Sequence, residues 1–449
     1  MLDKLLNYLS DKKILILGFG LEGVSTYKFL RKNFSQMNIT IVDIKENFDC
    51  DNKELKEDSF AQCIYGNTYL EHLQEYDLIL KSPGVSLKDV DISGFEDKIK
   101  SQLELLLEFV DVFTIGITGT KGKSTTSSLT YEVLKEQNKD VKLLGNIGVP
   151  VFEKIDEINE NTVLVLELSS HMLEFAKKAP NIAILLNIYE EHLDYYKTLN
   201  DYINAKMNIV KYQTEKDVAI LNIDNEIIKN NVSTCRADVI KISINSGVDA
   251  DFYIEDGYIW GNGVKLYDIT QNRNLLGNHN LNNIMFVLAV SNIMDLNIEK
   301  TIETINTFKG LEHRMEYVGE VDGVKYYNDS IATIPESTIC TLEAIENVDT
   351  LIVGGKDRGV DLEGLIEYIE KSSIKNVICM PKTGEYIEKG IKKDGKEIVL
   401  VNTLEEAVYK AKQLTEKGKT CVLSPAASSY GYFKNFEERG RLFKQYVMN

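Results

Sequence analysis

An α/β protein in three units is the fold this sequence predicts, and three observations predict it. Apolar runs of strand length alternate with helical stretches, the pattern of mostly parallel sheets with helices on their faces. Glycine-rich turns follow two of those runs, at Gly18–Gly23 and at Gly116–Gly122. The 449 residues accommodate two to four domains at roughly 100–200 residues each.

In the first unit, 1–101, Lys13–Leu17 is an apolar run ending at Gly18, and a helical stretch follows from about Gly23 to Lys32. Ile39–Val42 is the next strand and ends at Asp43, and Asp77–Leu80 stops at the turn signal Ser82-Pro83-Gly84. The second unit, 102–309, opens with the buried strand Val112–Ile117, a glycine-rich loop and a helix from Lys123 onward. Val163–Leu166, Ile182–Leu186 and Val218–Leu221 are further buried strands. Ala250–Leu276 reads as a small antiparallel patch, followed by a helix from about His279 to Met294. In the third unit, 310–449, strands at Lys325–Tyr327, Leu351–Val353, Val377–Met380, Ile398–Val401 and Cys421–Leu423 are separated by helical lengths.

Bulk properties restrict the function. The net charge of −18 argues against nucleic acid and anionic membranes, since phosphate-rich partners need a basic face. A local basic pocket for a small phosphorylated ligand stays open. Six scattered cysteines, Cys50, Cys63, Cys235, Cys340, Cys379 and Cys421, form no CxxC pair and read as free thiols of a reducing compartment. The start, MLDKLLNYLSDKK, is not patterned as a signal peptide, and no apolar run approaches the ~18 residues of a membrane span. A cytoplasmic protein is expected.

The strongest motif is Gly116-Ile117-Thr118-Gly119-Thr120-Lys121-Gly122-Lys123-Ser124, between a strand and a helix. Glycines let backbone N–H groups close around a triphosphate, and the helix N-terminus adds positive potential. Lys123 can reach the β/γ-phosphates and Ser124 can ligate Mg²⁺. The general P-loop pattern places Gly where this chain has Ile117. The first unit carries Gly18-Phe19-Gly20-Leu21-Glu22-Gly23 and then Asp43, the Rossmann spacing. By itself this fits NAD, another nucleotide or a plain tight turn. Glu167 ends a strand and opens Glu167-Leu168-Ser169-Ser170-His171, where a carboxylate suits Mg²⁺ or caps a helix. His192 follows another strand, and Lys206 lies in the helical stretch Tyr202–Lys206. His279, Asn280 and Asn283 could read an adenine edge or cap their helix, and Arg314 could reach a phosphate or form an ion pair.

Together these pieces resemble the Mur ligase family over nearly the whole chain. The loop Ile115–Ser124 is similar to the family's GxTGTxGKS. The glutamate after a strand, the NxxxxHLD segment at Asn187–Asp194, YxxAK at Tyr202–Lys206, GxHNxxN at Gly277–Asn283, His313-Arg314 and Asn328-Asp329-Ser330 follow in family order. GFGLEG with Ser82-Pro83-Gly84, Asp329–Thr333, Leu423–Ser429, Phe433–Phe436 and Glu438-Arg439-Gly440 resemble the members that add D-glutamate, and the DNPR-type segment of the diaminopimelate- or lysine-adding relative is absent.

The resemblance implies a Rossmann-like N-terminal domain, a central P-loop ATPase-like domain with a mostly parallel sheet, and a C-terminal Rossmann-like domain. It implies ATP-dependent joining of D-glutamate to UDP-N-acetylmuramoyl-L-alanine through an acyl phosphate, with two Mg²⁺ ions. Lys123, Glu167, His192 and Lys206 are then catalytic; Ser124, Glu167, His192 and a carbamylated Lys206 hold metal. Gly119, Thr120, Lys121, Gly122, Lys123, Ser124, Thr125, Asn280, Asn283, Arg314 and Asp329 take ATP. Gly18, Phe19, Gly20, Leu21, Asp43, Ser82, Pro83, Gly84 and Asn146 take the UDP precursor, and Thr333, Arg358, Ser429 and Phe436 take D-glutamate. ATP is implied to lie between the second and third domains, with the third closing over it to keep the acyl phosphate dry. A monomer without nucleic-acid or membrane partners is expected. The chain departs from the family pattern at Ile331, where many members carry Lys, and at Arg358, where relatives often carry Lys. A folate-polyglutamating ligase, a nicotinamide-dependent oxidoreductase and a non-catalytic nucleotide-binding module are the competing readings.

Overall fold

The computed structural model describes residues 2–48, 52–147, 149–271, 273–275, 277–392 and 395–449; the expected free thiol Cys50 lies outside them. The chain forms two compact units, Met1–Gln271 with Leu281–Ile305, and Asn272–Asn280 with Asn306–Asn449.

The first unit holds two sheets. Strands β1 (Ile14–Leu17), β2 (Ile39–Asp43), β3 (Ala61–Tyr65), β4 (Leu78–Lys81) and β5 (Ile99–Lys100) form a parallel sheet in the order β3-β2-β1-β4-β5. All four residues of β1 are buried because both faces are covered. Ile14 and Ile16 enter one core with Ile39, Ile41, Leu78 and Leu80, whereas Leu15 and Leu17 enter another with Val42 and Ile79. This is the two-residue period of a strand buried on both sides, and it explains the unbroken apolar runs in the sequence.

The second sheet comprises β6 (Phe113–Thr118), β7 (Val141–Gly145), β8 (Val163–Glu167), β9 (Ile182–Leu185), β10 (Val218–Asn222), β11 (Asp238–Ile242), β12 (Phe252–Glu255), β13 (Tyr258–Gly261) and β14 (Val264–Asp268). Their order is β14-β13-β12-β11-β10-β9-β6-β8-β7. The expected antiparallel patch is the meander β12–β14, which joins the parallel part through a single pair, Ile242↔Phe252. Because β6 lies between β9 and β8, the loops after all three gather at one edge.

In the second unit, β15 (Glu316–Val321), β16 (Val324–Asn328), β17 (Val348–Gly354), β18 (Asn376–Met380), β19 (Glu397–Leu400) and β20 (Thr420–Leu423) form a sheet in the order β15-β16-β20-β17-β18-β19. Only β15–β16 is antiparallel. Alternate residues again divide between two cores: Leu351, Val377 and Val422 on one face, Ile352, Ile378, Cys421 and Leu423 on the other. The last helix, Phe436–Met448, starts where the Asn435 side chain accepts the Glu438 N–H, and it buries Arg439, Phe443 and Val447. Among the described residues no helix is long and apolar enough to cross a membrane.

Candidate active site

The loops after β1, β2 and β4, with the loop after β7, enclose a cavity of about 580 Å³ lined by Gly18, Gly20, Leu21, Asp43, Ser82, Pro83, Gly84 and Asn146. Each lies at or just past the C-terminal end of a parallel strand, where open α/β sheets bind ligands. Local bonds fix the wall. Ser82 Oγ donates to Gly18 O at 2.8 Å, and Asp43 accepts the N–H groups of Phe19 at 2.6 Å and Lys45 at 2.8 Å. Gly18 sits at φ +91°, and a Cβ there would meet Val85 Cγ2 at 2.6 Å. Phe19 departs from expectation: its ring packs 5.1 Å from Phe48 and 6.2 Å from Tyr27, and it does not line the cavity. Glu22 also lines it, with burial pushing its carboxyl up to about 7.

At the second sheet, β6 runs into Gly119–Gly122 and the helix Lys123–Glu136. Gly122 adopts φ +86°, with Asn283 Oδ1 2.7 Å from where a Cβ would stand. No side chain caps this 14-residue helix. Its N-terminus carries the positive end of the helix dipole, which favours an anion. Two loop N–H groups are already used: Thr120 donates to Asn187 O at 2.9 Å and Lys121 to Asn187 Oδ1 at 2.8 Å. Asn187 thus shapes the loop, a role its place in the NxxxxHLD segment did not reveal. Lys121 Nζ pairs with Glu191, and Lys123 Nζ lies over its own loop, 2.9 Å from Gly119 O and 3.0 Å from Thr120 O. Ser124 is half-buried, Thr125 is buried, and Asn283 Oδ1 accepts from Thr126 Oγ1 at 3.2 Å.

Glu167 is fully buried at the end of β8. The nearby helix Ser170–Leu173 is capped by Ser169, not by Glu167. Glu167 accepts hydrogen bonds from Asn146 Nδ2 at 2.6 Å and Ser127 Oγ at 3.3 Å, both neutral groups. Asn146 therefore belongs to the first cavity and to Glu167 at once. Lys206, 2% exposed, donates to Gly119 O at 2.8 Å, and burial together with the Lys123 charge pulls its amine down to about 7. Two lysines thus converge on one P-loop carbonyl. His192, at φ +61°, leads a tight turn whose carbonyl accepts the Tyr195 and Tyr196 N–H groups. Glu167 and Ser124 offer the oxygen donors that a hard divalent cation takes.

The sequence reading passed over His171. Its ring lies 4.9 Å from His192, 4.0 Å from Tyr195 and 5.7 Å from Tyr196, and its Nε2 is buried with no hydrogen-bond partner. Its signal was the last letter of the Glu167–His171 segment.

The second unit brings fewer expected residues together. Asp329 is buried and already accepts from Thr341 Oγ1 at 2.6 Å, Ser424 Oγ at 2.8 Å and Met315 N–H at 3.2 Å, with burial pushing it up to about 6. Arg314 is half-buried with its charge acting on Asp329 and His279, and Asn280 is buried. A cavity of about 280 Å³ at the C-terminal ends of β17, β18 and β20 is lined by Ser429 among the four residues expected around D-glutamate. Arg358 is exposed on the loop after β17, and Thr333 and Phe436 are half-buried elsewhere. Arg439, unassigned from sequence, lines this cavity fully buried. It donates to Ser330 Oγ at 3.0 Å, Ser330 O at 2.7 Å and Ala427 O at 3.1 Å, and burial pulls its guanidinium down to about 9. Glu312, His313 and Glu316 have the spacing of an ion site, but Lys444 Nζ already spans the two glutamates.

A P-loop joined to a Rossmann-like cavity and a third α/β sheet defines a nucleotide-dependent enzyme class. Comparison with known proteins narrows it. The MurD-like N-terminal domain of Mur ligases matches residues 12–100, the Mur ligase middle domain 117–291, and the Mur ligase glutamate ligase domain 313–427. The chain belongs to the Mur ligase family. It is 36% identical to the UDP-N-acetylmuramoylalanine–D-glutamate ligase of Clostridioides difficile, over 98% of this chain and 99% of that one. It is 34% identical to the ligase of that name in Clostridium tetani, over 98% of each chain. Among solved structures, the UDP-N-acetylmuramate-alanine ligase of Thermotoga maritima shares the fold at a TM-score of 0.61 and 17% identity, covering 97% of this chain and 99% of that one. The MurF ligase of Thermotoga maritima, solved in complex with ADP, does so at 0.58 and 18%, covering 97% and 98%.

Proposed function

We propose that this protein joins D-glutamate to UDP-N-acetylmuramoyl-L-alanine at the expense of ATP. The observation that carries this reading is the full-length likeness to ligases so named, on a chain where cavity-lining Asn146 donates to Glu167, which also accepts from Ser127 of the helix after the P-loop. The precursor's UDP end occupies the first cavity, and its alanyl carboxylate points toward the P-loop. That carboxylate attacks the γ-phosphorus, ADP leaves, and an acyl phosphate forms. The amine of D-glutamate then attacks the acyl carbon and phosphate departs, leaving a new amide.

Each residue has a physical task in this scheme. An attacking carboxylate and a triphosphate repel, so positive groups must neutralise the charge that gathers in line. Lys123 swings from its loop carbonyls to the phosphates. Gly119, Thr120, Lys121, Gly122 and Thr125 shape the phosphate cradle, and Asn280, Asn283, Arg314 and Asp329 belong to the nucleotide's surroundings. Ser124, Glu167 and His192 would hold Mg²⁺, which supplies charge neutralisation at the transferring phosphoryl group. Lys206, with its lowered amine, is the residue suited to carbamylation, which would turn a cation beside the metal into a ligand. Thr333, Arg358, Ser429 and Phe436 are assigned to D-glutamate. Arg358 supplies a guanidinium able to grip a carboxylate bidentately, in the absence of a lysine at 331. The chain is assigned domains 1–101, 102–309 and 310–449, and is taken to act as a cytoplasmic monomer.

The test is phosphate release with UDP-N-acetylmuramoyl-L-alanine, ATP and Mg²⁺ across D- and L-amino acids. Release with D-glutamate alone, with a new UDP-linked product, supports the assignment. Turnover with another amino acid, or only with a folate acceptor, overturns the substrate and keeps the ligation.

A further inference from the structure

Four contacts tie the wall of the first cavity to the turn that carries His192, and none follows from the reading of the motifs. Lys81, the last residue of β4 and next to Ser82, is 4% exposed. Its Nζ donates to the Tyr195 hydroxyl at 2.7 Å and lies 3.3 Å from Glu174 Oε2. The Tyr195 hydroxyl has one proton to give, with Glu174 Oε2 at 2.8 Å and Val85 O at 2.9 Å to receive it. Further along the same segment, Ser86 Oγ donates to Tyr195 O at 2.9 Å, and Lys88 Nζ donates to Asp194 O. On its other side the Tyr195 ring packs 4.0 Å from His171, whose ring is 4.9 Å from that of His192.

We infer that Lys81, Glu174 and Tyr195 form a buried clasp that positions His171, and through it His192, from the wall of the precursor cavity. This rests on the reading of His192 given under Proposed function. Tyr195 and His171 are positioning residues; neither is assigned contact with substrate.

The chemistry favours a clasp over a surface ion pair. A buried ammonium costs several kcal/mol unless it is paired and hydrogen-bonded, and Lys81 has both a carboxylate and a phenol. Burial draws the Lys81 amine down, and the charge and hydrogen bond of Glu174, with the Glu22 charge, push it back up. Removing Glu174 or Tyr195 leaves the buried Lys81 ammonium short of a partner. The His171 ring is packed 4.0 Å from Tyr195, 5.7 Å from Tyr196 and 4.9 Å from His192. A ring held among these three steers by shape. Small displacements of a group near reacting atoms have large effects on rate, on the order of 10²-fold per ångström.

The test uses the full-length protein with Lys81→Met, Tyr195→Phe and the double variant. Steady-state phosphate release and ¹⁵N-imidazole spectra are both recorded. The chain has five histidines, so each imidazole can be assigned by its own His→Gln variant. Each single change is expected to lower kcat about tenfold while KM for ATP stays within about twofold. The double variant should lose no more than the worse single, because the two side chains act as one unit. Signals of His171 and His192 should move together while those of His72, His279 and His313 stay. Additive losses, an unmoved His192 signal, or an effect confined to the melting temperature would overturn the clasp. Should Lys81→Met fail to fold, Tyr195→Phe keeps the ring on His171 and decides the matter alone. Failure of the wild type to use D-glutamate would sink the proposed function, whereas the substrate-free spectra still test the clasp.

Discussion

The cavities of the first and third sheets occupy the same place in two similar sheets, yet they gather their expected residues very differently. Around the first, Gly18, Asp43 and Ser82 each stand at or just past the end of a parallel strand, so the strand order alone brings them together. Around the third, only Ser429 of the four residues expected around D-glutamate lines the cavity. The loops there are directed by a buried network, with Arg439 holding Ser330 and Ala427, and Asp329 holding Thr341 and Ser424. A site written by strand ends is local, whereas a site written by buried polar bonds depends on partners about a hundred residues away.

This contrast can be broken in four places, from the largest expected effect to the smallest. Lys123→Ala should cut phosphate release by about a thousandfold or more, since a cation on the transferring phosphates is lost. Its melting temperature should stay near wild type, because Lys123 Nζ is bonded to loop carbonyls at the surface of the site. A rate within tenfold of wild type would remove Lys123 from the chemistry.

Arg439→Met should instead lower stability, by about 3 kcal/mol, because it strands three buried acceptors. Urea unfolding followed by circular dichroism measures it, and an unchanged midpoint would show that water replaces the guanidinium. If the network builds the third site, D-glutamate KM rises in step.

Asp329 supplies a pH test. Its folded carboxyl is pushed up to about 6 by burial, above the ordinary value of about 4. The folded state therefore holds its proton more tightly than the unfolded chain does. That stabilisation is full below about pH 4 and is lost as pH rises through about 6, on the order of 3 kcal/mol in all. Wild-type unfolding midpoints should fall across this window relative to Asp329→Asn. Parallel curves for the two proteins would contradict it.

The smallest effect is expected from Ser82→Ala, which removes one bond to Gly18 O and should cost about 1 kcal/mol. Precursor KM should rise about threefold with KM for D-glutamate unchanged. A change in the latter instead would break the separation of the two sites.

The sequence by itself determined the α/β class, the strand runs and the P-loop. Two-residue alternation, apolar runs and the Gly-Lys-Ser turn are local properties that backbone sterics and burial translate directly into structure. It also marked Glu167, His192 and Lys206 as members of an ordered set. The tertiary structure alone decided that Asn187 takes two P-loop N–H groups, that Asn146 serves both a cavity and Glu167, and that Phe19 turns into the core. It alone joined Lys81 to Tyr195, 114 positions away, and Arg439 to Ser330, 109 positions away. The physical reason is that a buried charge must find partners wherever the packed chain supplies them. No spacing along the sequence records which residues those are.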